Sequence, residues 1–156
     1  MNFEGGAGAV LSGVQFFGIP GNRGIFDATQ VEAAIRELKH REFVLLNIKG
    51  ADEAGHDGHP LAKRDFIARI DTALEPLLAL GDTLVAACGD HSTPCAVRDH
   101  SADPVPLLIW GEGVRVDRVD RFSEIACAEG GLHRIPGLAL LPILLDLVNK
   151  SRKYGA

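Results

Sequence analysis

Three short apolar runs, residues 43–48, 83–88 and 105–110, limit what this chain can fold into more than any other feature. Phe43-Val44-Leu45-Leu46-Asn47-Ile48 and Thr83-Leu84-Val85-Ala86-Ala87-Cys88 are almost continuously apolar. A strand reads that way when both faces of its sheet are covered. The third run ends at Trp110 and is bounded by prolines. Between the runs the apolar spacing changes to that of helices. Residues 28–39 set Val31, Ala34, Ile35 and Leu38 on one face, with Asp27 placed to cap. Pro60 suits a first helical position, and a helix to residue 80 turns Ile67, Ile70, Leu74, Leu77 and Leu78 inward, with Pro76 kinking or shortening its last turn. Helices are also predicted over 122–128 and 138–150. Residues 7–17 read as a short buried helix or strand, followed by turn chemistry in Ile19-Pro20-Gly21-Asn22-Arg23-Gly24. Strand and helix alternate. The expected fold class is therefore α/β: a three-layer α/β/α architecture, with a mostly parallel sheet and helices on both faces.

At 156 residues the chain reads as a single domain, 1–156, without repeats or a linker. Its net charge of -5 and the lack of a basic patch interleaved with aromatics argue against nucleic acid as a partner. Three cysteines (Cys88, Cys95, Cys127) form no CxxC pair and suit a reducing cytoplasm. Cys88 and Cys127 read as small buried hydrophobes. The start Met-Asn-Phe-Glu-Gly-Gly does not read as a signal peptide. The apolar run 138–148 is broken by Pro142 and Asp146 and is too short to span a bilayer. The expectation is a soluble cytoplasmic protein without a membrane partner.

The chemistry gathers where loops leave the predicted strands. Asp52-x-x-x-His56 follows the first, Gly89-Asp90-His91-Ser92-Thr93-Pro94 follows the second, and His100 precedes the third. One helical turn puts Asp52 and His56 on a common side. Carboxylates and neutral imidazoles are the donors that hold Zn²⁺, Mn²⁺ and similar ions, so the five residues read as a metal site for two ions. Ligands of open α/β sheets gather at the carboxyl ends of strands, where Asp52 and Asp90 fall. Each motif also has a plainer reading: a capping Asp, a solvated His, a turn after a strand. Asp57, His59, His40 and His133 take that reading. Lys63 either faces a bound phosphate or snorkels from the start of its helix. No activated nucleophile stands out beside the cluster.

These strings resemble the alkaline phosphatase superfamily, and within it the archaeal-type 2,3-bisphosphoglycerate-independent phosphoglycerate mutases. The resemblance is carried by 49–58, by Gly89-Asp90-His91-Ser92-Thr93-Pro94-Cys95, by His100-Ser101-Ala102-Asp103-Pro104-Val105-Pro106, by Phe122-Ser123-Glu124 through Gly130-Gly131-Leu132, and by the closing Lys153-Tyr154-Gly155-Ala156. It implies Asp52, His56 and His100 as ligands of one ion and Asp90 and His91 as ligands of a second. The ions expected are Mn²⁺ first, then Mg²⁺ or Zn²⁺. The implied reaction interconverts 3-phosphoglycerate and 2-phosphoglycerate through a metal-activated serine. The family carries that serine in an N-terminal part, and Ser12, Ser92 and Ser101 do not match its motif. By resemblance, then, the chain is the C-terminal part of a longer enzyme. It contains no catalytic nucleophile, is inactive alone, has an N-terminal enzyme segment as partner, and exposes a sheet edge that favours homo-oligomers. The alternatives are another phosphoryl-transfer enzyme of the superfamily (a phosphatase, a phosphopentomutase or a homoserine kinase-like relative) or a non-catalytic metal-binding remnant.

Overall fold

A computed structural model of the protein describes residues 26–151, and its first helix, α1 (Ala28–Leu38), begins where a side chain can cap it. Asp27 accepts from the Thr29 backbone N–H at 2.8 Å, and Gln30 Oε1 accepts from the Asp27 N–H at 2.9 Å. This reciprocal capping box is worth about 1 kcal/mol. Val31 and Ala34 are buried on the face the spacing predicted.

Helices α2 (Gly50–His56) and α3 (Pro60–Ala73) follow. Pro60 opens α3 as expected, but the helix stops at Ala73 and continues only as a 3₁₀ turn, Glu75–Ala79. Pro76 explains the change, since it has no N–H to bond back along an α-helix. The inward face also differs from expectation. Phe66 and Ala73 are buried, whereas Ile67 and Leu78 are exposed.

Strands β1 (Val85–Cys88) and β2 (Leu107–Trp110) pair antiparallel, Val85 opposite Trp110 and Cys88 opposite Leu107. The mostly parallel sheet with helices on both faces is not what these two strands form. The reason lies in their connection. Parallel neighbours need a crossover, usually helical, and residues 89–106 contain no helix. They return directly to the sheet and spend their length on the site. Run 43–48 joins no ladder among the described residues, although its side chains alternate between exposed and half-buried. Nor is either strand buried on both faces, and Cys88 is exposed rather than a core residue.

Ser123 caps the short helix α4 (Glu124–Cys127), its Oγ accepting from the Ala126 N–H at 3.3 Å. A 3₁₀ turn, Gly137–Ala139, leads into α5 (Leu140–Leu147), close to the helix expected over 138–150. The expectations for residues 7–17, for 19–24 and for the final residues from 152 lie outside the described residues. Within the described residues no helix is long and apolar enough to cross a membrane.

Candidate metal centre

Two glycines decide where α2 lies. A Cβ at Gly50 would come within 2.4 Å of the Phe66 ring, and one at Gly55 within 2.5 Å of the Thr93 carbonyl oxygen. Only bare backbone allows approaches that close, so α2 is pressed between α3 and the loop after β1. Asp52, in its first turn, and His56, its last residue, then face that loop.

The loop is closed by its own backbone. The Ser101 N–H donates to the Ser92 carbonyl at 3.0 Å in an isolated antiparallel bridge, and the Arg98 N–H closes a turn on the Pro94 carbonyl at 2.9 Å. Arg98 takes a left-handed conformation, with φ of 59°. Closure brings the His91 and His100 rings to 3.7 Å between centroids, and His56 to 5.1 Å from His100.

Three donor atoms converge. Asp52 Oδ1 lies 3.4 Å from His56 Nε2 and 3.8 Å from His100 Nε2, and the two nitrogens are 3.2 Å apart. A tetrahedral divalent ion with ligands at about 2.1 Å requires donor atoms about 3.4 Å from one another. The triangle matches that size. The protonation pattern is favourable too. His56 Nδ1 is 3.1 Å from the Arg98 carbonyl, which can only accept, so Nδ1 carries the proton and Nε2 turns a lone pair to the centre.

The second expected pair is looser. Asp90 Oδ2 stands 3.5 Å from His91 Nε2, while Asp90 Oδ1 accepts from the His91 backbone N–H at 3.1 Å. The Asp90 side chain is 77% exposed. His91 also belongs to the central group, since donor atoms of Asp52, His91 and His100 all lie within 4.8 Å of one another. All five residues singled out in the sequence therefore meet at one corner, four of them closely and Asp90 at its rim.

The Asp52 side chain is 20% exposed. A hydrogen bond from the Thr93 hydroxyl holds its carboxyl below the ordinary carboxylate range, against the opposing effect of burial, with His56, Lys49 and His91 adding smaller contributions in the same direction as the bond. Lys49 Nζ approaches Asp52 Oδ2 at 3.5 Å. Sequence reasoning missed the supporting residues. Thr93 lay in view inside the Gly-Asp-His motif, but a threonine is no metal ligand of this class. Lys63 turns its ammonium to the Thr93 carbonyl at 2.7 Å, so it neither snorkels freely nor faces open solvent. His40, His59 and His133 are exposed, in line with their plain reading.

A carboxylate and imidazoles converging at this spacing mark a divalent-metal protein, and the chain belongs to the Metalloenzyme superfamily, which residues 1–147 match. Family and donor set together support the use of divalent metal. More particularly, the chain is 60% identical over 97% of its length to a 2,3-bisphosphoglycerate-independent phosphoglycerate mutase of Methanoculleus marisnigri. It is 61% identical over 81% of its length to the protein of the same name from Methanosphaerula palustris. Among solved structures, the PH0037 protein from Pyrococcus horikoshii superposes with a TM-score of 0.78, at 46% identity over 81% of this chain. The α/β fold class agrees with that likeness. The chain spans only 37% and 31% of the two mutases, and 39% of the Pyrococcus protein.

Proposed function

We propose that this chain is the metal-holding part of a 2,3-bisphosphoglycerate-independent phosphoglycerate mutase, which interconverts 3-phosphoglycerate and 2-phosphoglycerate. One observation carries the proposal: the triangle formed by Asp52 Oδ1, His56 Nε2 and His100 Nε2. Identity of 60% to a protein bearing that name supports the choice of substrate over other phosphoryl transfers. Asp52, His56 and His100 hold one ion in this reading, and Asp90 and His91 contribute to a second. Mn²⁺ is the first choice, ahead of Mg²⁺ and Zn²⁺. Divalent ions at these positions supply a lowered hydroxyl pKa at a nucleophile and neutralise charge on the transferring phosphoryl group. The chain's own task is to fix donor atoms. The Arg98 carbonyl fixes the His56 ring, Thr93 and Lys49 hold Asp52, and the Ser92–Ser101 bridge holds His91 beside His100.

The nucleophilic serine belongs, in this reading, to a segment of the mutase outside the present chain. That segment also completes the three-layer sheet. Phe43 is 58% and Leu45 72% exposed. At the end of their run lies a cleft of about 170 Å³ lined by Phe26, Ile48, Gly50 and Phe66. A neighbouring strand would cover both. Free Cys88, Cys95 and Cys127 support a cytoplasmic location.

The test is reconstitution. Conversion of 3-phosphoglycerate is measured with Mn²⁺ for the chain alone, and again with the part of the Methanoculleus marisnigri relative that the chain does not match. Turnover is expected only in the mixture, and only while Asp52 is intact. Steady turnover by the chain alone, or a mixture indifferent to Asp52→Ala, contradicts the proposal.

A further inference from the structure

Among the described residues Thr93 is the buried polar side chain, 3% exposed, and its hydroxyl lies between two metal-ligand candidates. Oγ1 is 2.6 Å from Asp52 Oδ1 and 3.2 Å from His91 Nδ1. A hydroxyl has a single proton to give. A carboxylate can only accept, so the shorter contact takes that proton, and Oγ1 is left to His91 as an acceptor. His91 must then carry its own proton on Nδ1. Its Nε2, 3.5 Å from Asp90 Oδ2, keeps a free lone pair.

The threonine is itself held from behind. Lys63 Nζ donates to its carbonyl at 2.7 Å. The bare backbone of Gly55 lies against both that carbonyl and the Thr93 methyl group, where a Cβ would come within 2.5 and 3.0 Å respectively. The methyl therefore locates the side chain, and the hydroxyl has little freedom to choose other partners.

We propose that Thr93 is a positioning residue joining the two ion positions: its hydroxyl fixes the Asp52 carboxylate for one ion and holds His91 in the Nδ1–H tautomer, which leaves Nε2 free for the other. Nothing in the ligand pattern of the sequence requires this link. It rests on the reading of the corner as a divalent-metal centre, yet it makes a claim about the metal-free protein as well. Groups that orient ligands in this way typically account for about 10- to 100-fold in metal affinity.

The test combines tautomer and affinity. Long-range ¹H–¹⁵N spectra of the metal-free, ¹⁵N-labelled chain at mildly alkaline pH report which ring nitrogen of His91 is protonated. Wild type and Thr93→Ser are expected as Nδ1–H, and Thr93→Val as Nε2–H. Calorimetric titration with Mn²⁺ should weaken by about 10- to 100-fold in Thr93→Val and largely recover in Thr93→Ser. An Nε2–H tautomer in wild type with Mn²⁺ still bound overturns the positioning role alone. So does a Thr93→Val chain that keeps both tautomer and affinity. If Thr93→Val fails to fold, the wild-type tautomer and the Thr93→Ser titration still decide. Should wild type show Nδ1–H and bind no Mn²⁺, the metal-centre reading falls, and the linking role falls with it.

Discussion

The corner built from α2 and residues 89–101 differs sharply from the flank around residues 43–48. At the corner the candidate ligands and the side chains that hold them are paired with one another, and among the described residues no buried side-chain nitrogen or oxygen lacks a partner. Thr93 meets Asp52 and His91, His56 meets Arg98, and Lys63 meets the Thr93 carbonyl. On the flank, Phe43 and Leu45 are exposed, and elsewhere in the molecule so are Leu138 of the 3₁₀ turn and Ile125 of α4. Hydrogen bonds act over a few ångströms and can be satisfied within one loop. Apolar side chains are stabilised only by the area removed from water, which needs a second surface. A polar corner can therefore be ordered locally while the apolar side chains of Phe43 and Leu45 stay exposed.

The contrast is easiest to break at Gly55. Its hydrogen faces a carbonyl rather than a flexible side chain, so Gly55→Ala must push α2 off the loop. Such overpacking should cost about 1–3 kcal/mol in a denaturant titration. Mn²⁺ affinity should fall with it, because Asp52 and His56 ride on α2. Gly55→Ala with unchanged stability and affinity would show that the corner is not held as described.

A smaller effect separates core from flank. Val31 is fully buried, and Val31→Ala should cost about 1–2 kcal/mol. Leu45→Ala, by contrast, should stay within about 0.5 kcal/mol in the chain alone and become costly only when the unmatched part of the Methanoculleus marisnigri relative is supplied. Equal losses in the isolated chain would mean that the flank is already covered.

The smallest effect concerns acid. The folded-state pKa of Asp52 is lowered, so its contribution to stability is complete above the ordinary carboxyl value of about 3.9 and is lost as pH falls through the lowered value. Thr93→Val removes the largest cause of that lowering, so acid unfolding of the metal-free chain should begin at a higher pH. An unmoved transition, followed by circular dichroism, would assign the lowering to something else.

Much of the corner was legible before any coordinates, because the spacing of Asp52 and His56 is one helical turn whatever surrounds it. Asp90 and His91 were legible from their place at a strand end. His100 was legible only in conjunction with the other four, from its place before the third run, since its approach depends on the Ser92–Ser101 bridge. Thr93 escaped notice because its role is to orient ligands. The direction of the β1–β2 pair was not legible for a related reason. Apolar runs announce strands but not their direction, which depends here on whether residues 89–106 cross over or turn back. The inward face of α3 was misjudged because Phe66 packs on Gly50, a partner that helical periodicity does not reveal.

The central claim, that Asp52, His56 and His100 form one divalent-ion site, is tested most directly by titrating Mn²⁺ into the chain and its Asp52→Ala, His56→Ala and His100→Ala variants. One tight ion in the parent chain and its loss, by more than about 100-fold in affinity, in each variant of unchanged circular dichroism is the result expected. Undiminished affinity and stoichiometry in any of the three would contradict it.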